Sequence, residues 1–252
     1  MGRSLAIEFV GHATLLVELD TIRLLTDPAL QARIGPLRRV GEAPAPMPAD
    51  VDAVLISHLH HDHLDLASLG RLGPTPRLVV PRGAAAWLRA RGFAEVEELG
   101  PGEITSVGGI RIRAVHARHG GFRPPAGPAA GAVGYLIEGS RSIYFAGDTG
   151  LFEGMRELQG AIDVALLPVG GWGPTLPSRH HLDPVDAARA AALIQPRLSV
   201  PIHWGTYWPV GLRWLRPERR HGPPARFVRA ASELAPGAII RATEIGAEVD
   251  LQ

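Results

Sequence analysis

Ser57-His58-Leu59-His60-His61-Asp62-His63-Leu64-Asp65 follows directly on the apolar run that begins at Val51, and it holds four of the chain's 11 histidines. A turn so dense in imidazole, at the end of a buried strand, suffers like-charge repulsion and desolvation of its ring nitrogens unless something compensates. A divalent cation compensates, because imidazole and carboxylate are both good ligands for zinc and similar ions. The spacing adds detail. His58 and His60, two apart, share a direction on an extended segment, while Asp62 and His63 fall beyond the turn and face a second position. The pattern suits two adjacent metals better than a His-rich surface loop.

Two metals need more ligands than this stretch supplies, and three further apolar strands each end in a candidate. Ala117-Arg118-His119 follows the strand at 110–115, Gly147-Asp148-Thr149-Gly150 follows that at 141–146, and Ile202-His203-Trp204-Gly205-Thr206 closes that at 198–202. Taken singly, each is an ordinary turn. Their recurrence at successive strand ends points to one site. His116 competes with His119 for the first of these positions.

The composition limits the rest. The chain has 252 residues, 46% hydrophobic and 20% charged, with a formal net charge of +1, 30 Gly and 23 Pro. That is globular, and long enough for one large domain or two small ones, either with a substantial core. Cysteine is absent, which excludes disulfides, thiolate nucleophiles and Cys-ligated zinc or iron–sulfur sites. All the basic residues are Arg, so lysine Schiff-base chemistry and a P-loop lysine are excluded too. With Asn also missing and Ala, Gly and Pro abundant, the arginines read as coding bias rather than a nucleic-acid footprint. No apolar run is long enough to cross a membrane, and Glu8 and His12 interrupt the apolar start, so a cytoplasmic location is expected.

Along the chain, strands are predicted at 4–10, 14–19, 22–25, 51–57, 77–80, 104–107, 110–115, 132–138, 141–146, 163–168 and 198–202. Helical spacing covers 64–72, 83–91, 151–159 and 184–194, the last with Asp183 as N-cap and Pro184 at its first position. The segments 29–50, 118–131 and 170–179 read as loops. Two strand-rich halves of similar make-up suggest an ancient duplication.

The His-x-His-x-Asp-His pattern of His58, His60, Asp62 and His63 resembles the metallo-β-lactamase superfamily. More narrowly, Gly11-His12-Ala13-Thr14, Leu25-Thr26-Asp27-Pro28, Ile56 to Asp65, Phe145 to Gly150, His181 to Ala187 and Pro201 to Tyr207 look like the branch containing N-acyl-phosphatidylethanolamine phospholipase D and ascorbate-phosphate lactonases. The likeness runs from about residue 5 to 208. It implies an α/β four-layer αββα sandwich, read as a single domain over 1–252 with 209–252 a less recognisable C-terminal extension. It also implies two divalent ions, Zn expected and Mn or Fe alternatives. One would be held by His58, His60 and His119, the other by Asp62, His63 and His203, with Asp148 bridging.

The expected enzyme is a metal-dependent hydrolase in which a hydroxide shared by two metals attacks a phosphodiester or a lactone. Asp62 would orient or deprotonate the water. His181, matching a position near the family's substrate, would contact substrate or give a proton to the leaving group. Asp27 is read as a carboxylate behind a ligand imidazole or as a turn residue before Pro28, and His12 as a site neighbour or a core histidine. Trp204 and Tyr207 are expected to bind substrate. They open an Arg-aromatic segment, 204–229, that either takes an anionic headgroup or packs as a solvated helix and loop. The expected partner is a small-molecule or lipid-like ester. A nucleic-acid-processing factor and a β-lactamase or thiolesterase are the competing functions, the former opposed by near-neutral charge.

Overall fold

A computed structural model of the chain describes residues 4–47, 50–73, 76–171, 179–212, 214–215 and 217–252. The central part of the 170–179 loop, and Arg213 and Arg216 of the Arg-aromatic segment, lie outside the described residues.

Two seven-stranded sheets face each other. In the first, Ala247–Glu248, Leu5–Gly11, Thr14–Leu19, Ile22–Thr26, Ala53–Leu55, Arg77–Pro81 and Val96–Leu99 lie side by side in that order. In the second the order is Ile239–Ile240, Leu198–Ile202, Val164–Pro168, Ser142–Phe145, Val133–Glu138, Ile110–His116 and Ile104–Val107. Each sheet starts as an antiparallel meander and continues with parallel strands. The shared plan is the one expected of a duplicated unit.

Alternation along the meander strands explains the layers. On Ile110–His116, Ile112 and Ala114 point between the sheets, where they meet Phe9, Leu15, Tyr135 and Phe145 in the main core. The parallel strands Ala53–Leu55, Val164–Pro168 and Leu198–Ile202 are buried along their whole length, because helices cover their outer faces. Leu66–Arg71 and Ala85–Arg89 cover the first sheet and Pro184–Ile194 and Pro223–Leu234 the second, each over its own apolar cluster. This is the αββα sandwich. Pro184–Ile194 begins as its sequence predicts: the Asp183 carboxylate accepts from the Val185 and Asp186 amides at 2.8 and 2.9 Å, and its buried stripe is largely alanine.

Several sequence expectations need correction. The 29–50 loop contains a hairpin, Arg33–Ile34 with Leu37–Arg39, onto which Tyr207–Pro209 adds a third strand. The 118–131 loop contains a smaller pair, Gly121–Phe122 with Ala129–Ala130. Val96–Leu99 is a strand that Glu97 and Glu98 disguise, and the helix expected at 151–159 is a 3-10 turn over Glu153–Leu158. The tail beyond 208 gives an edge strand to each sheet as well as the Pro223–Leu234 helix, which packs on Pro184–Ile194.

The parallel strands, together with the meander strands that run with them, end on one edge of the sandwich. That edge collects the turns after residues 11, 26, 55, 116, 145 and 202, and every predicted site residue except His181 and Tyr207 lies in one of these turns.

Candidate metal centre

His58, His60 and His119 form one group: the ring nitrogens Nε2 of His58 and Nδ1 of His60 are 2.9 Å apart, and His119 Nε2 is 3.2 Å from the same His60 nitrogen. Asp62, His63 and His203 form a second, joined by His12. His63 Nε2 lies 3.3 Å from His203 Nε2, and Asp148 reaches both, at 3.4 and 3.2 Å. Asp148 also belongs with His119 and His181, so its carboxylate stands between the two groups. His116 is elsewhere: it is exposed and edge-on to Phe152 at 4.9 Å.

Outer partners set the tautomers. His63 Nδ1–H donates to Asp27 Oδ2 at 2.7 Å, which turns its Nε2 toward the centre. Ser57 donates to the same carboxylate from its hydroxyl at 2.5 Å and from its amide at 2.7 Å, and the hydroxyl oxygen is 3.0 Å from His58 Nδ1. His119 Nδ1–H donates to the carbonyl of His180 at 2.9 Å. Asp27 is fully buried, its carboxylate behind the His63 ring. His12 lies beside the centre, its Nε2 3.1 Å from Asp62 Oδ2 and its ring 3.9 Å from that of His203.

The backbone is strained at this edge. Among the described residues, the non-glycine positions with left-handed backbone are His12, Asp20, Asp27, Gln195 and His203, and three of these five are in the centre. Glycines permit the close approaches. Gly147, at φ +58°, has no room for a side chain: a Cβ there would come within 2.4 Å of Ser57 Cβ, and this lack of bulk lets the Asp148 turn lie on the His-rich turn.

Burial pushes His58 and His203 well below the ordinary imidazole range and holds His119 at about 4, leaving neutral rings with free lone pairs. Burial would raise Asp148, but the His203 and His63 imidazoles outweigh it and hold the carboxyl well below its usual value. Asp62 behaves alike, with the His12 hydrogen bond the leading counterweight. Burial would lower His63, yet Asp148 and Asp27 raise it well above the usual value.

This donor set fits divalent cations. Buried lone pairs converge at hydrogen-bonding distances without enough protons to share, Asp148 Oδ1 accepts no hydrogen bond, and neither ring nitrogen of His181 has a hydrogen-bond partner among the described residues. Cations would satisfy the converging lone pairs and Asp148 Oδ1 together.

The two aromatic residues expected to bind substrate stand beside this centre. The indole N–H of half-buried Trp204 donates to the Pro201 carbonyl at 3.0 Å, and its ring packs on Phe9 at the margin of the main core. Tyr207 is buried, its hydroxyl within 2.9 and 2.8 Å of the Ala29 and Gln31 carbonyls and its ring edge-on to His12 at 5.4 Å. Sequence alone assigns no role to Ser57, His61, His180 or Arg123. Arg123 is buried and donates at 2.8 Å to the Leu59 and Leu64 carbonyls, clamping the His-rich turn, and reaches His61 Nδ1 at 3.0 Å. An arginine inside an apolar Gly/Pro loop is the one sequence signal that hints at it.

Residues 22–204 match the family described as "Beta-lactamase superfamily domain". A protein of Methanopyrus kandleri named as a metal-dependent hydrolase is 37% identical over 213 residues, 81% of this chain and 86% of that protein. The N-acyl-phosphatidylethanolamine-hydrolyzing phospholipase D 1 of Caenorhabditis elegans is 33% identical over 232 residues, covering 81% of this chain but 64% of that enzyme, so the chain spans less than two thirds of its length. Among solved structures, a metallo hydrolase of Ignicoccus hospitalis superposes with a TM-score of 0.72 over 97% of both chains at 24% identity, which bears on the fold alone. By its matched residues, its sandwich and the His/Asp turns at one edge, the chain belongs to the beta-lactamase superfamily.

Proposed function

We propose that the chain is a metal-dependent hydrolase with two divalent cations, acting on a phosphodiester or a lactone. The observation that supports this is the pair of ligand groups sharing Asp148: His58, His60 and His119 would hold one ion, and Asp62, His63 and His203 the other. Nitrogen and oxygen donors without thiolate suit zinc first, with manganese and iron as alternatives. Ions bound there would supply Lewis acidity and bring the acidity of a water toward neutral pH.

The chain's own residues do the rest. Asp62, kept ionised by His12, orients the attacking water and accepts its proton. His181 has both ring nitrogens unspent and its Nε2 3.4 Å from Asp148 Oδ2, a position from which it protonates the leaving oxygen. The phosphodiester reading draws support from the nematode relative, whose name describes a phospholipase D that hydrolyses N-acyl-phosphatidylethanolamine. In this reading the chain works as one domain, since its tail supplies an edge strand to both sheets.

The test is metal analysis of the purified protein, followed by assays of the zinc- and manganese-loaded forms on bis-p-nitrophenyl phosphate, a phosphomonoester, a lactone and a chromogenic cephalosporin. Two equivalents of metal and turnover of the diester or lactone are expected, with both lost in Asp62→Asn. Turnover of the cephalosporin alone, or turnover unchanged in Asp62→Asn, sinks the reading.

A further inference from the structure

His60 is the one member of its group without an outer partner among the described residues. His58 bonds to the Ser57 hydroxyl and His119 to the His180 carbonyl, whereas the half-buried His60 ring meets only the other two imidazoles, through Nδ1. A ligand imidazole ordinarily donates its second N–H to a group that fixes its orientation. His60 therefore depends on the backbone that carries it. That backbone is a tight turn, in which the His60 carbonyl accepts from the His63 and Leu64 amides at 3.1 and 2.8 Å. Arg123 closes the turn from outside: its Nη1 donates at 2.8 Å to both the Leu59 and Leu64 carbonyls, and its Nη2 donates at 3.0 Å to His61 Nδ1. His61 in turn donates from Nε2 to the Pro124 carbonyl at 2.9 Å, so this histidine of the stretch faces the clamping loop.

The clamp and His119 arrive on the same loop, Arg123 lying four positions after the histidine. The loop is closed on itself, which stiffens it. Gly121–Phe122 pairs with Ala129–Ala130, the Arg123 amide donates to the Pro128 carbonyl at 3.2 Å, and the Gly127 amide donates to the Arg123 carbonyl at 2.8 Å. Glycine is needed at 127, since a Cβ there would come within 2.6 Å of Arg123 Cβ. The buried guanidinium lies over the Trp87 ring, 5.0 Å from its centroid, and its hydrogen bonds go to two carbonyls and an imidazole rather than to a carboxylate. A cation in this place opposes the binding of another cation by its charge. Its use to a metal centre is therefore geometric.

We propose that Arg123 is a positioning residue for the metal centre: by clamping the carbonyls of Leu59 and Leu64 it holds His60 at the spacing from His119 that an ion held by His58, His60 and His119 needs, with His61 as the latch between turn and loop. The inference rests on the two-cation reading above.

Titration of the metal-free protein with cobalt, followed by its visible absorption, and equilibrium dialysis against zinc test it in wild type, Arg123→Gln, Arg123→Lys, His60→Ala and the double variant of His60→Ala with Arg123→Gln. In Arg123→Gln one of the two ions is expected to bind about 10–100-fold more weakly, with an altered cobalt spectrum, while the other keeps its affinity. Arg123→Lys keeps a donor for the two carbonyls and should recover part of the loss. Adding Arg123→Gln to His60→Ala should weaken binding no further, because Arg123 acts through His60. A role through charge alone has the opposite sign: tighter binding in Arg123→Gln overturns the proposal. Equal weakening of both ions, or an additive loss in the double variant, overturns it as well. Should Arg123→Gln fail to fold, His61→Ala at its exposed position carries the test, with a loss of about threefold or more at the same ion expected from the broken latch; unchanged affinity there overturns the proposal. Wild type that takes up no ion overturns the two-cation reading along with it, whereas two ions held equally well by wild type and Arg123→Gln overturn the positioning role alone.

Discussion

The two His/Asp groups of the proposed metal centre are built differently. His58, His60 and His119 come from one turn and one strand end, two of the three are only half-buried, and their outer partners are a serine hydroxyl and a backbone carbonyl. The group of Asp62, His63 and His203 is braced throughout: Asp27 and His63 are sealed from solvent, His12 packs at a tilt on His203 and is bonded to Asp62, and Tyr207 lies edge-on behind His12. The left-handed residues His12, Asp27 and His203 all belong to this side. Such strain persists only where the surroundings over-determine it. One group is therefore preformed and the other adjustable, an arrangement that suits a substrate entering over the His60 and His119 side.

The largest effect should come from removing what the groups share. Asp148→Ala is expected to empty both positions and to lower hydrolysis by more than the roughly 100-fold typical of a supporting residue, with metal content read by mass spectrometry. Retention of two ions in this variant would break the comparison at its centre. Asp27→Asn should act on the braced group alone. Asparagine tolerates the left-handed backbone at φ 34° but offers no second anionic oxygen to the His63 proton, so one of the two ions should bind about 10–100-fold more weakly. Equal weakening of both would show that the bracing serves the whole centre.

Acid should separate the groups as well. His63 is raised by Asp148 and Asp27 after burial has acted the other way, while burial holds His119 at about 4 and His58 well below its ordinary value. A raised imidazole takes up a proton at a pH where a lowered one stays bare, and that proton competes with a cation. As pH falls from 7.5 to 5, the braced group should release its ion first, by up to about tenfold in affinity per pH unit for one proton. Equilibrium dialysis across that range would show one ion lost before the other, whereas simultaneous loss would remove the distinction.

The His/Asp cluster is legible in the sequence because its members end apolar strands, and a His or Asp at a buried strand end is costly unless a partner of opposite charge meets it there. Parallel strands such as Ala53–Leu55 and Leu198–Ile202 can be read as continuous apolar runs, and Asp183-Pro184 as a helix start. What stays hidden depends on contacts between distant segments. Val96–Leu99 carries Glu97 and Glu98, which pair with Arg77 and cap the amides of Gly83 and Ala85, so no alternation marks it. Arg123 reaches carbonyls about sixty positions away. The packing of Trp204 on Phe9 and the bond of Tyr207 to the Ala29 carbonyl are hidden for the same reason.

Tyr207→Phe gives the smallest effect and the finest test of the bracing. Burial raises the phenol to about 12, so it remains a donor at any working pH, bonded to the Ala29 and Gln31 carbonyls. Arg39 Nη2 already donates to the Ala29 carbonyl at 2.6 Å, so losing the hydroxyl orphans at most the Gln31 carbonyl and the weak 3.3 Å bond from Arg39. The cost should be about 1 kcal/mol, a fall in Tm of about 2–4 °C for a chain of this size. The ring stays edge-on to His12, so KM and metal content should not move. If KM rises tenfold while Tm holds, Tyr207 touches substrate after all, and the braced side of the centre is open rather than closed.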